Sequence, residues 1–145
     1  MNRVLLTTAL FASLSAITQA QPVSTAQTAS ACPTLQFVGL KSGEGTLLIA
    51  VYGSAESFFK KPIWSQMIKV SNETMMVPVC NLDAAEIAVT AFQDMNGNAK
   101  LDSNPMGIPS EPHAASGKPA LFSAPTWSDA KVAFSTATQP IVIRF

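Results

Sequence analysis

Hydrophobic and polar positions along this chain follow the short period of β-strands. The segment from Glu86 to Phe92 alternates clearly, and the run from Ile141 to Phe145 is β-branched and aromatic. Side chains of a strand point alternately to opposite faces, so this pattern predicts strands with one buried face and not helices. About seven strands are predicted: Thr34–Leu40, Gly45–Tyr52, Met67–Val70, Thr74–Cys80, Glu86–Gln93, Ala130–Ser135 and Pro140–Phe145.

Glycine and proline residues separate these segments and mark turns. Helix content is expected to be small, although Ala55–Lys60 predicts one turn that packs Phe58 and Phe59 over the edge of the fold before Pro62 ends it. Two antiparallel sheets packed face to face suit this number and spacing of strands. The predicted fold is therefore an all-β antiparallel sandwich, with a closed barrel as the structural alternative.

The first residues predict export. Arg3 precedes an apolar run over residues 4–12, and the small residues Thr18 and Ala20 favour cleavage before Gln21. A membrane anchor is the alternative, but the run is shorter than the roughly 20 apolar residues that span a bilayer. We therefore predict a signal peptide over residues 1–20 and a periplasmic or extracellular protein without a transmembrane segment in the mature chain.

Residues 21–31 are rich in Gln, Ser, Thr and Ala, which predicts a flexible leader. Acylation of Cys32 as a lipoprotein is the alternative for this region. The remaining residues, 32–145, have the size of a single domain. Formal charge is +0 at pH 7, with nine basic and nine acidic residues. Nucleic acid is therefore not expected as a partner, since its binding needs a concentrated basic surface.

Two cysteines lie in the predicted mature chain, Cys32 and Cys80. An oxidising compartment favours a disulfide between them, which would join the start of the domain to its middle. Two free buried thiols are the alternative, because the sequence does not establish the distance between their Cα atoms.

The segment from Asp94 to Trp127 is long for a connection within a compact domain, and loops of this length are often functional. Its first part places oxygen-bearing side chains at alternate positions: Asp94, Asn96, Asn98 and Asp102, with the Lys100 carbonyl between them. Calcium prefers six to eight such oxygen ligands. These five residues are a candidate weak calcium site, and a polar turn centred on Asn96-Gly97 is the alternative.

Two further residues, Glu111 and His113, are candidates for the surface of this loop. No nucleophile elbow, phosphate loop, paired zinc-ligand motif or dinucleotide fingerprint occurs in the sequence. A non-enzymatic protein is the expectation. The alternative is a hydrolase of envelope or extracellular glycans that uses Asp94, Asp102 and Glu111 as acid and base.

The residues from Asp94 to Asp102, followed by Gly107-Ile108-Pro109-Ser110-Glu111-Pro112, resemble the bacterial exported family called domain of unknown function 2141. The family's usual form is Asp-x-Asn-Gly-Asn-Gly-Lys-Leu-Asp, then Gly-Ile-Pro-Lys-Glu and an aromatic-Gly-Phe-Ser segment. Here Ala99 replaces the motif glycine, and His113–Ser116 replace the aromatic segment. The resemblance extends to the strand pair around Gly45–Gly53.

This resemblance implies an immunoglobulin-like or transthyretin-like β-sandwich in the cell envelope, and it brings no established activity with it. Together with the residues themselves, it gives our functional hypothesis. The chain is expected to be an exported binding or accessory module whose partner is a protein or glycan of the envelope, with the loop of residues 94–112 as its working surface.

Overall fold

The structure is a computed structural model that describes residues 32–118, 123–135 and 137–145. The predicted signal peptide and leader lie outside the described residues. Eight strands and one short helix occur in the described part: β1 (Thr34–Val38), β2 (Thr46–Tyr52), β3 (Trp64–Lys69), β4 (Thr74–Pro78), β5 (Glu86–Asp94), β6 (His113–Ala115), α1 (Trp127–Ala130), β7 (Lys131–Ala133) and β8 (Ile141–Arg144).

The strands form two open sheets, which is consistent with the predicted β-sandwich. One sheet has the order β4-β1-β8, and the other has the order β3-β2-β5-β6, with β7 also paired to β5. Most neighbours are antiparallel as predicted, but β1 and β8 run parallel, with Leu35 opposite Ile141. β1 and β8 are the first and last strands of the described residues, so no local turn pattern predicts that they pair.

Alternation within the strands places the core between the two sheets. In β2 the side chains of Leu47, Ile49 and Val51 are buried, while Leu48 and Ala50 on the opposite face are only half-buried. Leu47, Ile49 and Val51 belong to the main hydrophobic cluster, which joins both sheets and also contains Leu35, Phe37, Ile87, Val89 and Ile143. Tyr52 and Ala88 belong to a second, smaller cluster on the other face. Burial of the apolar surface in the main cluster is the principal force that holds the sheets together.

The disulfide predicted between Cys32 and Cys80 is present, with Cα atoms 4.8 Å apart. It links Cys32, two residues before β1, to Cys80, two residues after β4. The bond joins residues that are 48 positions apart in the sequence. In the unfolded chain it closes a loop of this length, which reduces the conformational entropy of the unfolded state. None of the helices among the described residues is long and apolar enough to cross a membrane.

The region from Asp94 to Trp127 is not one uninterrupted loop, since it contains β6. This strand pairs with β5 through only three residues, among them His113 opposite Phe92. It is followed by the fully buried Ser116, whose Oγ accepts the Val89 N–H at 2.8 Å and donates to the Ala130 carbonyl. A strand of three residues, held by a side chain outside it, is too short for its own alternation to predict it.

Both phenylalanines of the turn after β2 pack against Tyr52 at the edge of the fold, as predicted, although Phe59 is also partly exposed. Phe58 is buried as predicted and packs against Tyr52 with ring centroids 5.2 Å apart. Phe59 is 55% exposed and has a φ of 57°. Its ring nevertheless packs against those of Phe58 and Tyr52, with centroids 4.3 and 6.1 Å away.

Candidate functional site

The candidate site is the loop of residues 94–112, which joins the end of β5 to the start of β6. Asp94 is the last residue of β5 and lies opposite Thr46, the first residue of β2. The loop therefore emerges from one end of the five-stranded sheet. At this end a Cβ atom on Gly45, whose φ is 60°, would lie 2.2 Å from the Asp94 carbonyl oxygen, so a glycine is required where the two chains meet.

The Asp94 carboxylate organises the first half of the loop. Its Oδ1 accepts the backbone N–H groups of Asn96 at 3.2 Å and Gly97 at 2.7 Å, and its Oδ2 accepts that of Ala99 at 2.7 Å. The side chain is only 2% exposed. Burial raises the pKa of Asp94, but the hydrogen bonds from the loop's backbone N–H groups together lower it by a larger amount. The resulting pKa is below the usual value of an aspartate. The carboxylate is therefore ionised at neutral pH.

Ala99 adopts a left-handed backbone conformation in this turn, with a φ of 58°. An L-residue with a side chain pays roughly 1–2 kcal/mol for this conformation, whereas glycine does not. The hydrogen bond from the Ala99 N–H to Asp94 is among those that hold it there. The position therefore favours the glycine found in the family's usual motif.

Glu111 closes the same segment from the other side. Its Oε1 accepts the Met95 N–H at 2.8 Å, and its Oε2 accepts the Asp102 N–H at 3.1 Å. The sequence places Glu111 on the loop surface, but its side chain is only 8% exposed. The reason is that both carboxylate oxygens bind backbone N–H groups at the two ends of residues 95–102. We call Asp94 and Glu111 together the carboxylate clamp.

The predicted calcium ligands come partly together. The Nδ2 groups of Asn96 and Asn98 donate to one oxygen of Asp102, its Oδ2, at 2.6 and 2.9 Å. Their Oδ1 atoms instead accept the N–H groups of Asn98 and Lys100. Asp94 is engaged separately by backbone N–H groups. Within the described residues, no group of three or more His, Cys, Asp or Glu side chains is placed to hold a metal ion.

His113 lies apart from these carboxylates' hydrogen bonds. It is exposed at the start of β6, and its Nδ1 is 3.1 Å from the Glu111 carbonyl oxygen. This contact is to the backbone and not to the Glu111 carboxylate, which points to Met95 and Asp102. The structure therefore gives His113 a place at the rim of the loop.

The second half of the loop, residues 102–110, is a small turn that the sequence analysis did not single out. Asn104 Oδ1 accepts the N–H groups of Met106 and Ile108, and the Ser110 N–H donates to the Asp102 carbonyl at 2.8 Å. The order Asn104-Pro105 followed by Gly107 is a turn pattern that predicts such a hairpin. It is attached directly to the clamped segment through Asp102.

Three large apolar side chains point to solvent from this loop. Met106 is 83% exposed, Ile108 is 56% exposed and Leu101 is 38% exposed. Each of them costs free energy when it is hydrated, although single exposed apolar residues are common on protein surfaces. What distinguishes these three is that they occur on one short loop, in which buried carboxylates hold the backbone on either side of Leu101 and the Asn104 side chain holds the turn of Met106 and Ile108. Two surface cavities, of about 270 and 520 Å³, are lined by residues outside this loop.

Comparison with known proteins identifies a family. The model of a family described as "Uncharacterized protein conserved in bacteria (DUF2141)" matches residues 35–142, which include most of both sheets and the whole of the loop. No curated protein and no solved structure matches the chain.

Proposed function

We propose that this chain, which belongs to the DUF2141 family of bacterial proteins, is an exported, non-enzymatic binding or accessory module of the cell envelope. The β-sandwich is its scaffold, and the loop of residues 94–112 is its binding surface. The observation that carries the proposal is that the carboxylate clamp and the Asn104 side chain fix the backbone of a loop whose Leu101, Met106 and Ile108 side chains are exposed.

A fixed loop favours binding for a thermodynamic reason. A flexible loop loses conformational entropy when it binds, whereas a loop that is already ordered loses little. The clamp supplies this order because Asp94 and Glu111 accept hydrogen bonds from five backbone N–H groups. Exposed Met and Ile side chains then offer apolar contacts that a partner would bury.

The disulfide supports the exported location. Bonds of this kind persist in oxidising compartments and are rare in the cytosol. Cys32–Cys80 is bonded, and residues 1–20 carry the pattern of a signal peptide. The partner we propose is accordingly a protein or glycan of the envelope.

The hydrogen bonds of the carboxylates favour a structural role over glycan hydrolysis. A glycosidase needs one carboxylic acid with a raised pKa that gives a proton to the leaving group. Burial raises the pKa of Asp94, but the hydrogen bonds that it accepts from backbone N–H groups lower it by more, so the pKa is lowered and not raised. Both oxygens of Glu111 likewise bind backbone N–H groups, which turns them away from a substrate.

Calcium binding is a second part of the proposal. Three of the five predicted ligand residues, Asn96, Asn98 and Asp102, already meet around one Asp102 oxygen. Rotation of the two amide groups would present their oxygens, together with Asp102, to a cation in place of two N–H donors. Only Asp102 supplies charge at this point, so the affinity would lie in the weak extracellular range, with a Kd of roughly 10⁻⁴ to 10⁻³ M.

Site-specific photo-crosslinking in bacterial cells tests the binding surface. A photoreactive residue replaces Met106 on the loop, and in a matched control it replaces Met76, which is 53% exposed on β4. Adducts at position 106 that are absent at position 76, and that disappear with Leu101→Ser and Ile108→Ser, would support the proposal. Equal adducts at both positions, or none at position 106, would contradict it.

A further inference from the structure

Asn96 is the only asparagine of the sequence that is followed by glycine. Glycine has no side chain to hinder its own backbone nitrogen, so this pair is open to an intramolecular reaction. The Gly97 nitrogen loses its proton to hydroxide and bonds to Asn96 Cγ; the Cγ–Nδ2 bond breaks, and Nδ2 leaves as ammonia after taking a proton from water. Water then opens the resulting succinimide ring to aspartate or isoaspartate.

The structure places the Gly97 nitrogen where this reaction is disfavoured. Its N–H donates to Asp94 Oδ1 at 2.7 Å, and Asp94 is buried. Removal of the proton would leave a negative nitrogen beside a negative carboxylate oxygen, and at this distance the repulsion is strong in a partly buried site. The same contact must also break before the nitrogen can move toward Asn96 Cγ.

The Asn96 side chain is also held by hydrogen bonds, as the Gly97 nitrogen is. Its Oδ1 accepts the Asn98 N–H at 3.1 Å, and its Nδ2 donates to Asp102 Oδ2 at 2.6 Å. Rotation of Cγ toward the Gly97 nitrogen would break both bonds. We propose that Asn96 is a latent deamidation site and that the carboxylates of Asp94 and Asp102 protect it. This inference does not depend on what the loop binds.

Deamidation at Asn96 would change the conformation of the loop as well as the identity of one residue. The side-chain amide that now donates to Asp102 would become a second carboxylate. Two negative groups would then face each other at a hydrogen-bonding distance, and an isoaspartate would also lengthen the backbone by one methylene. The reaction is irreversible under ordinary conditions, so the protection by Asp94 and Asp102 determines how long the loop keeps its shape.

Two other asparagines of the same loop serve as internal controls. Asn98 is followed by Ala99, whose methyl group hinders the attack, and Asn104 is followed by Pro105, which has no N–H to lose. Both share the solvent, temperature and age of Asn96 in every sample. Modification at Asn96 that is absent at these two residues therefore identifies the succinimide route and excludes general damage to the sample.

The test is peptide mapping by mass spectrometry of purified protein incubated at mildly alkaline pH, with wild type compared with Asp94→Ala. Urea-unfolded wild type gives the unprotected rate. We expect the folded wild type to react slowly and Asp94→Ala to react at least about tenfold faster, because the variant loses the hydrogen bond that holds the Gly97 N–H on a charged group. A wild-type rate equal to that of the unfolded chain would overturn the proposal.

Circular dichroism decides how the variant is interpreted. If Asp94→Ala is folded and reacts no faster than wild type, the proposal fails. If it does not fold, Asp102→Ala decides, because this variant frees the Asn96 amide and leaves Asp94 bonded to Gly97. Folded Asp102→Ala must then deamidate faster at Asn96 than wild type, and an unchanged rate overturns the proposal.

Discussion

Glu111 accepts a hydrogen bond from the backbone N–H of Met95, 16 residues earlier in the chain, at 2.8 Å. The same carboxylate also accepts the Asp102 N–H. One buried side chain thus ties the two ends of the turn together. The order of the loop is in this way a property of contacts between distant residues.

Substitution of Glu111 is expected to destabilise the protein through these two contacts. Glu111→Ala leaves the N–H groups of Met95 and Asp102 without their acceptor. Hydrogen bonds to charged groups contribute about 1.5–3 kcal/mol each, and the two are not additive, so we expect a loss of about 2–3 kcal/mol in the free energy of unfolding. Urea titration measures it. Glu73→Ala, at an exposed position, is the control, and an equal loss in both variants would contradict the account.

Gly45 is expected to tolerate no side chain. Gly45→Ala places a methyl group 2.2 Å from the Asp94 carbonyl oxygen, at a φ of 60°. Gly43 has a similar φ of 77°, but a Cβ there has no heavy atom within 4 Å. Gly43→Ala should therefore cost only the roughly 1–2 kcal/mol of the left-handed conformation. Gly45→Ala should cost about 1–3 kcal/mol more, as overpacking does, and thermal unfolding of the two variants makes the comparison.

Acid should weaken the clamp at Asp94. Burial raises the pKa of this carboxyl, but its backbone N–H donors lower it more, so the folded-state pKa lies below the unfolded value of about 3.9. The stabilisation is therefore present in full above the unfolded pKa and is lost as pH falls through the folded one. Melting temperatures measured from neutral pH down to acid should fall less steeply for Asp94→Ala than for wild type below about pH 4. Parallel curves would contradict this assignment.

Calcium should raise the melting temperature slightly. A ligand that binds only the native state stabilises it by RT ln(1 + [L]/Kd), which is about 1.4 kcal/mol at about 1 mM calcium for a Kd near 10⁻⁴ M. In a domain of this size, that corresponds to roughly 4–8 °C. Asn98→Ala removes a predicted ligand and leaves the Asp94 clamp in place, so it should lose the calcium-dependent shift. No shift in wild type would remove calcium from the proposal.

The sequence predicts the strands with long alternation well. Thr34, Thr46 and Glu86 begin strands at or within one residue of their predicted starts, because strand alternation and bounding turns are local patterns. β3 begins at Trp64 and not at Met67, since its first residues are stabilised by pairing with β2. The parallel pairing of β1 with β8 depends on residues more than a hundred positions apart, which no local pattern encodes.

In the candidate site, too, some features follow from local sequence and others depend on residues farther along the chain. The alternate oxygen side chains from Asp94 to Asp102 identify the loop from the sequence alone. The burial of Glu111 does not follow from its neighbours, because its partners lie 9 and 16 residues away. The exposure of Met106 and Ile108 likewise depends on Asn104, whose side chain shapes the turn beneath them.

Backbone hydrogen exchange in the presence of EDTA tests the central claim, that the carboxylate clamp orders the loop without a metal ion. NMR resolves the amides of Gly97 and Ala99, which donate to Asp94, and those of Met95 and Asp102, which donate to Glu111. We predict that all four are protected with calcium removed, and that Asp94→Ala exposes the first two. Exchange at the unstructured rate in EDTA, with protection only after calcium is added, would contradict the account.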